Sequence, residues 1–282
     1  MRIFFTTTTK KDYFDALEEY RNYEKVSDDP ENRDRCIVRE RWFEMEEAMK
    51  RGYQILFYNF YDKCVIKSDA ISFDNISLAF IRGDLRGTTQ IILYCLEHNI
   101  PIINNRYERK IIDYWPIFAV GISRRVQVIN GAAITYEYIK EFYKDRAFVK
   151  TLHKHMSAIF PDDPYVLEYI MGGHEAILSE VMDIKKDEEG TLEYRCYVIN
   201  NKLNSISRYS DYKKIPVPRK AIEYAKKVID MNKNVFVPHY ILDICELTDG
   251  YYDIVEFNCL ESSGRYIDNS VKRMFDAVDK IK

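Results

Sequence analysis

Apolar residues in the first hundred positions form short runs that alternate with stretches of helical periodicity. The runs at 1–6, 54–58, 77–80 and 101–103 predict β-strands, because each is short and bounded by polar residues. The stretches at 40–51 and 88–98 carry apolar residues at helical spacing and predict amphipathic helices. Alternating strands and helices are typical of an α/β domain, which we expect over residues 1–105.

The pattern changes after residue 105. It predicts helices at 108–120 and 219–231, a strand at 147–150, and β-rich segments at 165–183 and 192–208. Two further strands, at 240–246 and 251–256, are joined by a TDG turn. Helices interleaved with antiparallel hairpins indicate an α+β domain over 106–282, so the whole chain is assigned to the α+β class.

Composition narrows the class of protein. The 282 residues carry a formal net charge of -3, which gives no electrostatic reason to expect a nucleic-acid or membrane partner. Six scattered cysteines form no CxxC pair, and we find no signal peptide or long apolar run. A cytoplasmic, reducing location is therefore expected. The chain also lacks the GxSxG, P-loop, GxGxxG and HExxH motifs, which leaves triad hydrolases, Walker NTPases and zincins without support.

Candidate chemistry concentrates in the predicted hairpin near the C-terminus. Side chains two positions apart on a strand share a face, so Glu256 and Asn258 project together while Phe257 points to the core. The hairpin can bring Asp243 beside them. Two carboxylates and an amide oxygen suit Mg²⁺ and leave positions for phosphate oxygens, although polar residues that merely face solvent would give the same periodicity.

Several segments upstream of this hairpin stand in a distinctive order: ERKIIDYWPIFAVGI, RAFVK, ILSEVMDI and LEYRCYVINNKLNSISRYS. With the hairpin and the small residues that follow it, they resemble the ATP-grasp superfamily in its glutamate-ligase-like branch. Residues 76–105 resemble the strand, Arg-Gly loop, helix and strand of a pre-ATP-grasp domain. The texture is most similar to a compact bacterial and phage group, related to eukaryotic cell-cycle proteins that assist assembly of a translation initiation factor.

The resemblance implies an ATP-grasp fold and a set of nucleotide contacts. Residues 1–105 would form the pre-ATP-grasp domain, 106–178 a lid-bearing subdomain and 179–282 the C-terminal subdomain. Lys110 and Lys150 would bind the phosphates of ATP, with Arg109 as an alternative to Lys110. Asp243, Glu256 and Asn258 would hold Mg²⁺.

The same resemblance assigns the rest of the nucleotide site. The hinge residues Glu180, Val181 and Met182 would cover adenine through their backbone groups. Glu193 is preferred over Asp183 for the ribose hydroxyls.

Three arginines are further candidates by resemblance. Arg195 would stabilise charge on the transferring phosphoryl group, and Arg208 could support the same pocket. Arg82, in the Arg-Gly loop, would hold an anionic substrate group.

The implied function is an ADP-forming, Mg-ATP-dependent ligase that joins a carboxylate to an amine through an acyl-phosphate. The substrates would be small molecules or peptides, and a protein could serve as substrate or partner. Two alternatives stay open. One is an ATP-binding assembly factor for a protein partner, as the cell-cycle resemblance implies, and the other is a kinase.

Overall fold

A computed structural model describes residues 1–23, 33–69, 71–73, 75–103, 117, 119–152, 156–210, 213–235, 237–266 and 269–281. Side chains are described for these residues except 23, 33–39 and 85. The helix predicted at 108–120 lies almost entirely outside the described residues. Helices and sheets are mixed throughout, as the α+β assignment predicts.

The N-terminal sheet has the strand order β3-β2-β1-β4. Its strands are β1 (Arg2–Thr8), β2 (Gln54–Asn59), β3 (Cys64–Ile66) and β4 (Leu78–Ile81). β1 runs parallel to both β2 and β4, and β3 is antiparallel to β2. The three strands predicted at 1–6, 54–58 and 77–80 are therefore confirmed, whereas 101–103 contributes only a single bridge, between Ile102 and Ala79.

Helices cover both faces of this sheet. Helices α1 (Tyr13–Tyr23) and α2 (Arg33–Lys50) pack on one face, where Tyr20 and Trp42 join a core with Phe4 and Phe57. Helix α3 (Leu85–Glu97) packs on the other face through Ile91, Ile92 and Cys95. Asp84 begins α3, since its carboxylate accepts the Gly87 N–H at 2.8 Å and satisfies an amide that the helix leaves unpaired.

The central sheet is antiparallel and has the order β5-β8-β6-β7. Its strands are β5 (Val126–Asn130), β6 (Ala147–Thr151), β7 (Ser157–Phe160) and β8 (Glu175–Glu180). Helices α4 (Tyr136–Tyr143) and α5 (Pro164–Met171) accompany it. The β-rich prediction for 165–183 is wrong in its first half, because 164–171 is helical. Asp163 caps this helix, Pro164 occupies its first turn, and Leu167 and Ile170 bury one face at a spacing of three.

The third sheet carries the predicted hairpin and has the order β12-β11-β13-β14. A small hairpin, β9 (Lys186–Asp187) and β10 (Gly190–Thr191), precedes its strands β11 (Glu193–Ile199), β12 (Lys202–Arg208), β13 (Tyr240–Glu246) and β14 (Tyr252–Asn258). Helix α6 (Arg219–Asn232) packs on one face and α7 (Val271–Val278) on the other. The segments predicted at 192–208, 219–231, 240–246 and 251–256 are confirmed.

The N-terminal and C-terminal sheets share a hydrophobic core. Phe275 of α7 lies with its ring centroid 6.2 Å from that of Phe4 and 5.3 Å from that of Phe80. Tyr197 of β11 and Ile241 of β13 belong to the same cluster. This core therefore crosses the predicted boundary at residue 105. Within the described ranges, no helix has both the length and the apolar character needed to cross a membrane.

Candidate nucleotide and metal site

Strand register brings three of the predicted site residues side by side. Arg195 of β11 pairs with Asp243 of β13, and Asp243 pairs with Glu256 of β14. Residues directly opposite in neighbouring strands share a face, so their side chains project from one side of the sheet. Two positions on from Arg195, Tyr197 belongs to the core shared with α7. The site therefore lies on the sheet face that also carries that core.

Asp243 has no exposed surface and accepts four side-chain hydrogen bonds. Arg195 donates Nε and Nη2 to its two oxygens at 3.0 and 2.8 Å. Tyr209 donates its hydroxyl to Oδ2 at 2.6 Å, and Asn258 donates Nδ2 to the same oxygen at 2.9 Å. Charged and neutral donors together offset the cost of burying this carboxylate.

Glu256 connects the third sheet to the central sheet. Its Oε1 accepts Nδ2 of Asn258 at 2.7 Å, and its Oε2 pairs with the ammonium of Lys150 on β6. Both side chains of this ion pair are largely buried. The lysine predicted for phosphate and the carboxylate predicted for metal thus contact each other across the cleft between the sheets.

The donor set at this cluster fits a hard cation. Two carboxylates and an amide lie within hydrogen-bond contact, and such oxygens are preferred by Mg²⁺. Across the described ranges, no group of three or more His, Cys, Asp or Glu side chains could hold a metal. The metal assignment stays a prediction, and the chemistry of these residues is consistent with it.

An apolar cavity of about 240 Å³ lies beside the ion pair, between the two sheets. Lys150 and Glu256 line it, together with Arg124, which hydrogen-bonds Asp253 and the β14 backbone. Apolar side chains from both sheets form most of its remaining wall: Val126, Phe148, Ile159, Ile177, Val181, Met182, Val255 and Phe257. Apolar walls with a few placed polar groups are typical of sites for small molecules and cofactors.

The predicted hinge lines this cavity. Glu180 ends β8, and its carboxylate accepts the Arg125 N–H at 2.9 Å while its own N–H donates to the Arg125 carbonyl at 3.1 Å. Val181 and Met182 follow it along the cavity wall. The Met182 sulfur lies 3.9 Å from Sγ of Cys245 on β13, so the hinge is held against the third sheet.

The two candidates for the ribose differ in their surroundings. Glu193 is half-buried and accepts the Thr191 hydroxyl at 2.7 Å. Burial raises its pKa, and the negative charges of Asp243 and Glu256 add to that shift. Asp183 is exposed and accepts the Thr248 hydroxyl at the far hairpin turn. Glu193 is therefore the candidate that lies near the cluster, and the ribose assignment stays a prediction.

Two tyrosines complete the site and escaped the sequence prediction. The Arg195 guanidinium lies 5.0 Å from the ring centroid of Tyr209 and 5.1 Å from that of Tyr266. Burial alone would lower the pKa of Arg195, but Asp243 raises it well above the ordinary value. Burial also raises the pKa of Tyr209 well above its ordinary value, so its hydroxyl keeps the proton that it donates to Asp243. The sequence signal was an aromatic residue directly after the ISR strand and another in the GRY loop.

Arg82 lies away from the cavity and is fully buried. Its guanidinium binds the Glu44 carboxylate, with Nη2 3.0 Å from Oε1, and donates to the Ser263 carbonyl at 2.9 Å. Arg265 binds the same carboxylate at 3.0 Å. These contacts give Arg82 a role in holding the loop after β14 against α2, and its assignment to a substrate stays a prediction.

The remaining candidates divide in two. Arg208 forms a bidentate ion pair with Asp187, both bonds being 2.7 Å, and so anchors the small β9–β10 hairpin. Lys110 and Arg109 lie outside the described residues.

Comparisons with known proteins agree with this architecture. Residues 131–278, a little over half of the chain, match the family model described as ATP-grasp domain, R2K clade family 3. None of the curated proteins matches the chain.

Solved structures of similar fold are ATP-grasp ligases of low sequence identity. The macrocyclase MdnC from Microcystis aeruginosa, bound to its precursor peptide, has a TM-score of 0.59 and 10% identity, with 100% of each chain covered. The D-alanine-D-alanine ligase from Coxiella burnetii has a TM-score of 0.56 and 10% identity, covering 99% of this chain and 91% of that one. The ligase PsnB, solved with a precursor variant, Mg and ADP, has a TM-score of 0.56 and 12% identity, covering 98% and 96%.

At these identities the structural likeness establishes the fold, and the family model establishes the membership. The matched residues contain β6 with Lys150, the hinge, β11 with Arg195 and the hairpin with Asp243, Glu256 and Asn258. The chain belongs to the ATP-grasp superfamily, as a member of R2K clade family 3.

Proposed function

We propose that this protein is a Mg-ATP-dependent ligase that joins a carboxylate to an amine and releases ADP and phosphate. One observation carries the proposal. A connected polar cluster lies beside an apolar cavity between two sheets. Its members are Lys150, Glu256, Asn258, Asp243 and Arg195. Lys150 and Arg195 supply positive charge, and the carboxylates and the amide supply oxygen ligands for a metal. If adenine occupied the cavity, the phosphates of the nucleotide would lie at this cluster.

The apolar cavity suits the purine. The side chains that line it from the two sheets would lie on the two faces of the ring, and the backbone of Glu180 through Met182 would meet its polar edge. Glu193 would accept hydrogen bonds from the ribose hydroxyls. Its half-buried position on the β11 strand beside the cluster supports this role.

Asp243, Glu256 and Asn258 would hold magnesium, which supplies charge neutralisation for the transferring phosphoryl group. Lys150 now pairs with Glu256, and it would turn to the phosphates once a cation engages that carboxylate. Because an ammonium is a point charge on a flexible stem, this exchange needs little backbone movement.

Arg195 has five N–H groups, and its contacts to Asp243, Tyr209 and the Gly264 carbonyl occupy four of them. No described residue accepts the second Nη1 proton, which would serve a phosphoryl oxygen or the acyl group. Rigid contacts around the guanidinium would keep that donor in place without reorganisation during the reaction.

In the proposed reaction, a carboxylate oxygen attacks the γ-phosphorus and the bond to the β-phosphate oxygen breaks, which releases ADP. The amine then attacks the acyl carbon of the resulting acyl-phosphate, and inorganic phosphate leaves. The amine loses one proton on forming the amide.

The test is incubation of the protein with Mg-ATP and mixtures of amino acids or short peptides, followed by ADP and phosphate measurement and mass spectrometry. Release of ADP that depends on an added carboxylate and amine, with a matching amide product, supports the ligase. A stable phosphorylated product in place of an amide would indicate a kinase. Tight ATP binding without turnover would overturn the ligase in favour of an assembly factor.

A further inference from the structure

A separate cavity of about 280 Å³ opens in the N-terminal sheet. It is lined by the end of β1 at residues 7–9, by helix α1 through Glu19 and Tyr20, and by the two aromatic residues that follow β2. Asp84 and Arg86, at the start of α3, complete its lining. None of these residues lines the nucleotide cavity.

The cavity sits where the topology of the sheet leaves a crevice. β1 runs parallel to both β2 and β4, with α1 and α2 on one face of the sheet and α3 on the other. The chain order therefore reverses between β1 and β4, and the cavity lies outside the carboxyl ends of these strands. Open α/β sheets bind ligands at this place, because the connections diverge there to opposite faces.

Two carboxylates at the cavity are held by neutral groups. Glu19 accepts the Thr8 hydroxyl at 3.2 Å, and Asp84 accepts the Gly87 N–H at 2.8 Å. In the part of the chain that the structure describes, neither carboxylate forms an ion pair, and the exposed guanidinium of Arg86 forms neither an ion pair nor a hydrogen bond. Two negative charges and one positive charge thus line one cavity, and none of the three forms an ion pair with a described residue.

The two aromatic side chains at the cavity are exposed, and hydrogen bonds fix the backbone of the loop that carries them. Phe60 is 41% exposed and Tyr61 is 75% exposed. Buried Asn59 fixes the loop that carries them, since its Oδ1 accepts the Tyr61 N–H at 2.9 Å and its Nδ2 donates to the Lys10 carbonyl at 2.6 Å. Aromatic side chains on a hydrogen-bonded loop, beside charges that form no ion pair among the described residues, indicate a ligand with both an apolar body and charged groups.

We propose that this cavity binds a free α-amino acid with an aromatic or apolar side chain. Its ammonium contacts Glu19 and Asp84, its carboxylate contacts Arg86, and its side chain lies against Phe60 and Tyr61. The volume is just below the ~300 Å³ at which drug-sized pockets begin, which suits a single amino acid.

The inference rests on the proposed function, for which it supplies the class of the amine substrate. One backbone hydrogen bond joins the edge of this cavity to the loop that follows β14. Gly83, next to Asp84, donates its N–H to the Glu261 carbonyl at 2.9 Å, and Glu261 lies three residues after Asn258. The start of α3, which carries two of the charged residues of the cavity, is therefore held against the loop that follows the predicted metal hairpin.

Calorimetric titration without ATP tests the site with four probes: phenylalanine, phenylalaninamide, phenethylamine and 3-phenylpropionate. We expect phenylalanine to bind saturably, the two probes without a carboxylate to bind about tenfold or more weakly, and 3-phenylpropionate to bind weakest of all. 3-Phenylpropionate should bind more weakly than the two cationic probes because the cavity has two carboxylates and only one guanidinium.

Matched variants assign the groups. Arg86→Ala should weaken phenylalanine about tenfold and leave phenylalaninamide unchanged, whereas Glu19→Gln should weaken both. Phe60→Ala should weaken every probe. Lys226→Ala removes an exposed positive charge on α6, far from the cavity, and should change nothing.

Three results overturn the inference. The first is no saturable binding of phenylalanine, and the second is a phenylalanine affinity that is the same in the wild type, in Arg86→Ala and in Glu19→Gln. Equal binding of phenylalaninamide and phenylalanine overturns the free amino acid in favour of the amino-terminal residue of a peptide. Since no step uses ATP, these results are independent of the turnover assay that tests the ligase.

Discussion

Asp243 and Glu256 face each other across a strand pair, yet their surroundings differ. Asp243 is completely buried and saturated by Arg195, Tyr209 and Asn258, whereas Glu256 keeps 24% of its side chain exposed and pairs with a lysine from another sheet. Glu256 is the more accessible of the two carboxylates, and the flexible side chain of Lys150 is one of its partners, so it can change its contacts at lower cost than Asp243. Glu256 is therefore the residue of the pair through which a cation would enter.

Replacing Glu256 with Gln tests this directly. The variant keeps the shape and the hydrogen bond from Asn258 but loses the charge, so Mg-dependent binding of a non-hydrolysable ATP analogue should weaken at least about tenfold. Calorimetry with and without magnesium measures the change. Glu223→Gln, at an exposed ion pair on α6, is the matched control. Unchanged magnesium dependence in the Glu256 variant would refute the metal assignment.

A buried histidine gives the protein a pH-dependent stability. His239 is 4% exposed, and its Nδ1 accepts the N–H of Asn200 at 3.1 Å. Burial lowers its pKa to about 4, from an ordinary value near 6.5. Between these values the unfolded chain binds a proton that the folded protein does not, so stability is lost as pH falls from about 6.5 towards 4.

Between about pH 7.5 and pH 5, His239 should reduce the free energy of unfolding by roughly 2 kcal/mol. His239→Gln removes this titration and keeps an acceptor for Asn200, so its stability should fall less over the same range. Urea unfolding at both pH values measures the difference. His98→Gln, at an exposed histidine, should behave as the wild type does. Parallel pH profiles for wild type and His239→Gln would contradict the assignment.

Spacing alone predicted the strand residues of the site but not its tyrosines. The triplet on β13 and β14 follows from the two-residue period and from the turn between the strands, and these are local properties. Tyr209 and Tyr266 reach Arg195 from a strand end and from a loop, 57 positions apart in the chain. A contact between such distant segments depends on tertiary packing, which no local pattern encodes.

Turns and helix starts in this chain coincide with local sequence signals. The hairpin β11–β12 turns at Asn200 and Asn201, both with positive φ, and paired asparagines are typical of such two-residue turns. Helix α5 was missed because its sequence PYVLEYIM is rich in residues that favour strands. The Asp163-Pro164 start signal outweighs that propensity, since it caps the helix and fixes its first turn.

One glycine controls how α5 meets the central sheet. A Cβ at Gly131 would lie 1.8 Å from the Ile170 carbonyl oxygen, and the Gly131 N–H donates to the His174 carbonyl at 2.8 Å. Gly131→Ala should therefore destabilise the protein by about 2–3 kcal/mol, because backbone rather than a flexible side chain must move. Chemical denaturation measures this loss. Ala133→Ser, at an exposed position of the same turn, should change stability little.

The whole molecule joins its first and last elements in one core. Arg2 donates to the carbonyls of Val278, at 2.8 Å, and Ile281, at 2.7 Å, while Phe275 packs on Phe4 and Phe80. The sequence predicted an α/β unit followed by an α+β unit, because periodicity reports each element separately. It did not reveal that α7, from the end of the chain, completes the core of the first unit.

Buried ion pairs also join the N-terminal sheet to the C-terminal part of the chain. The Glu44 carboxylate on α2 forms ion pairs with three arginines from different parts of the chain, Arg41, Arg82 and Arg265. Burial alone would raise the pKa of Glu44, but these three cations hold it well below its ordinary value. A buried carboxylate with three guanidinium partners requires all of its segments to be in place at once, since the loss of one leaves an unpaired buried charge. The N-terminal sheet and the loop after β14 are thereby coupled.

This coupling predicts that the N-terminal and C-terminal sheets unfold together. Phe275→Ala removes the ring between them and should cost about 3–4 kcal/mol. Hydrogen exchange followed by mass spectrometry should then show β1 and β13 losing protection by equal amounts. Leu167→Ala, in the separate core beneath α5, should instead act first on β6 and β8. If Phe275→Ala exposed β1 while β13 kept its protection, the two sheets would be independent units and the shared core would not bind them.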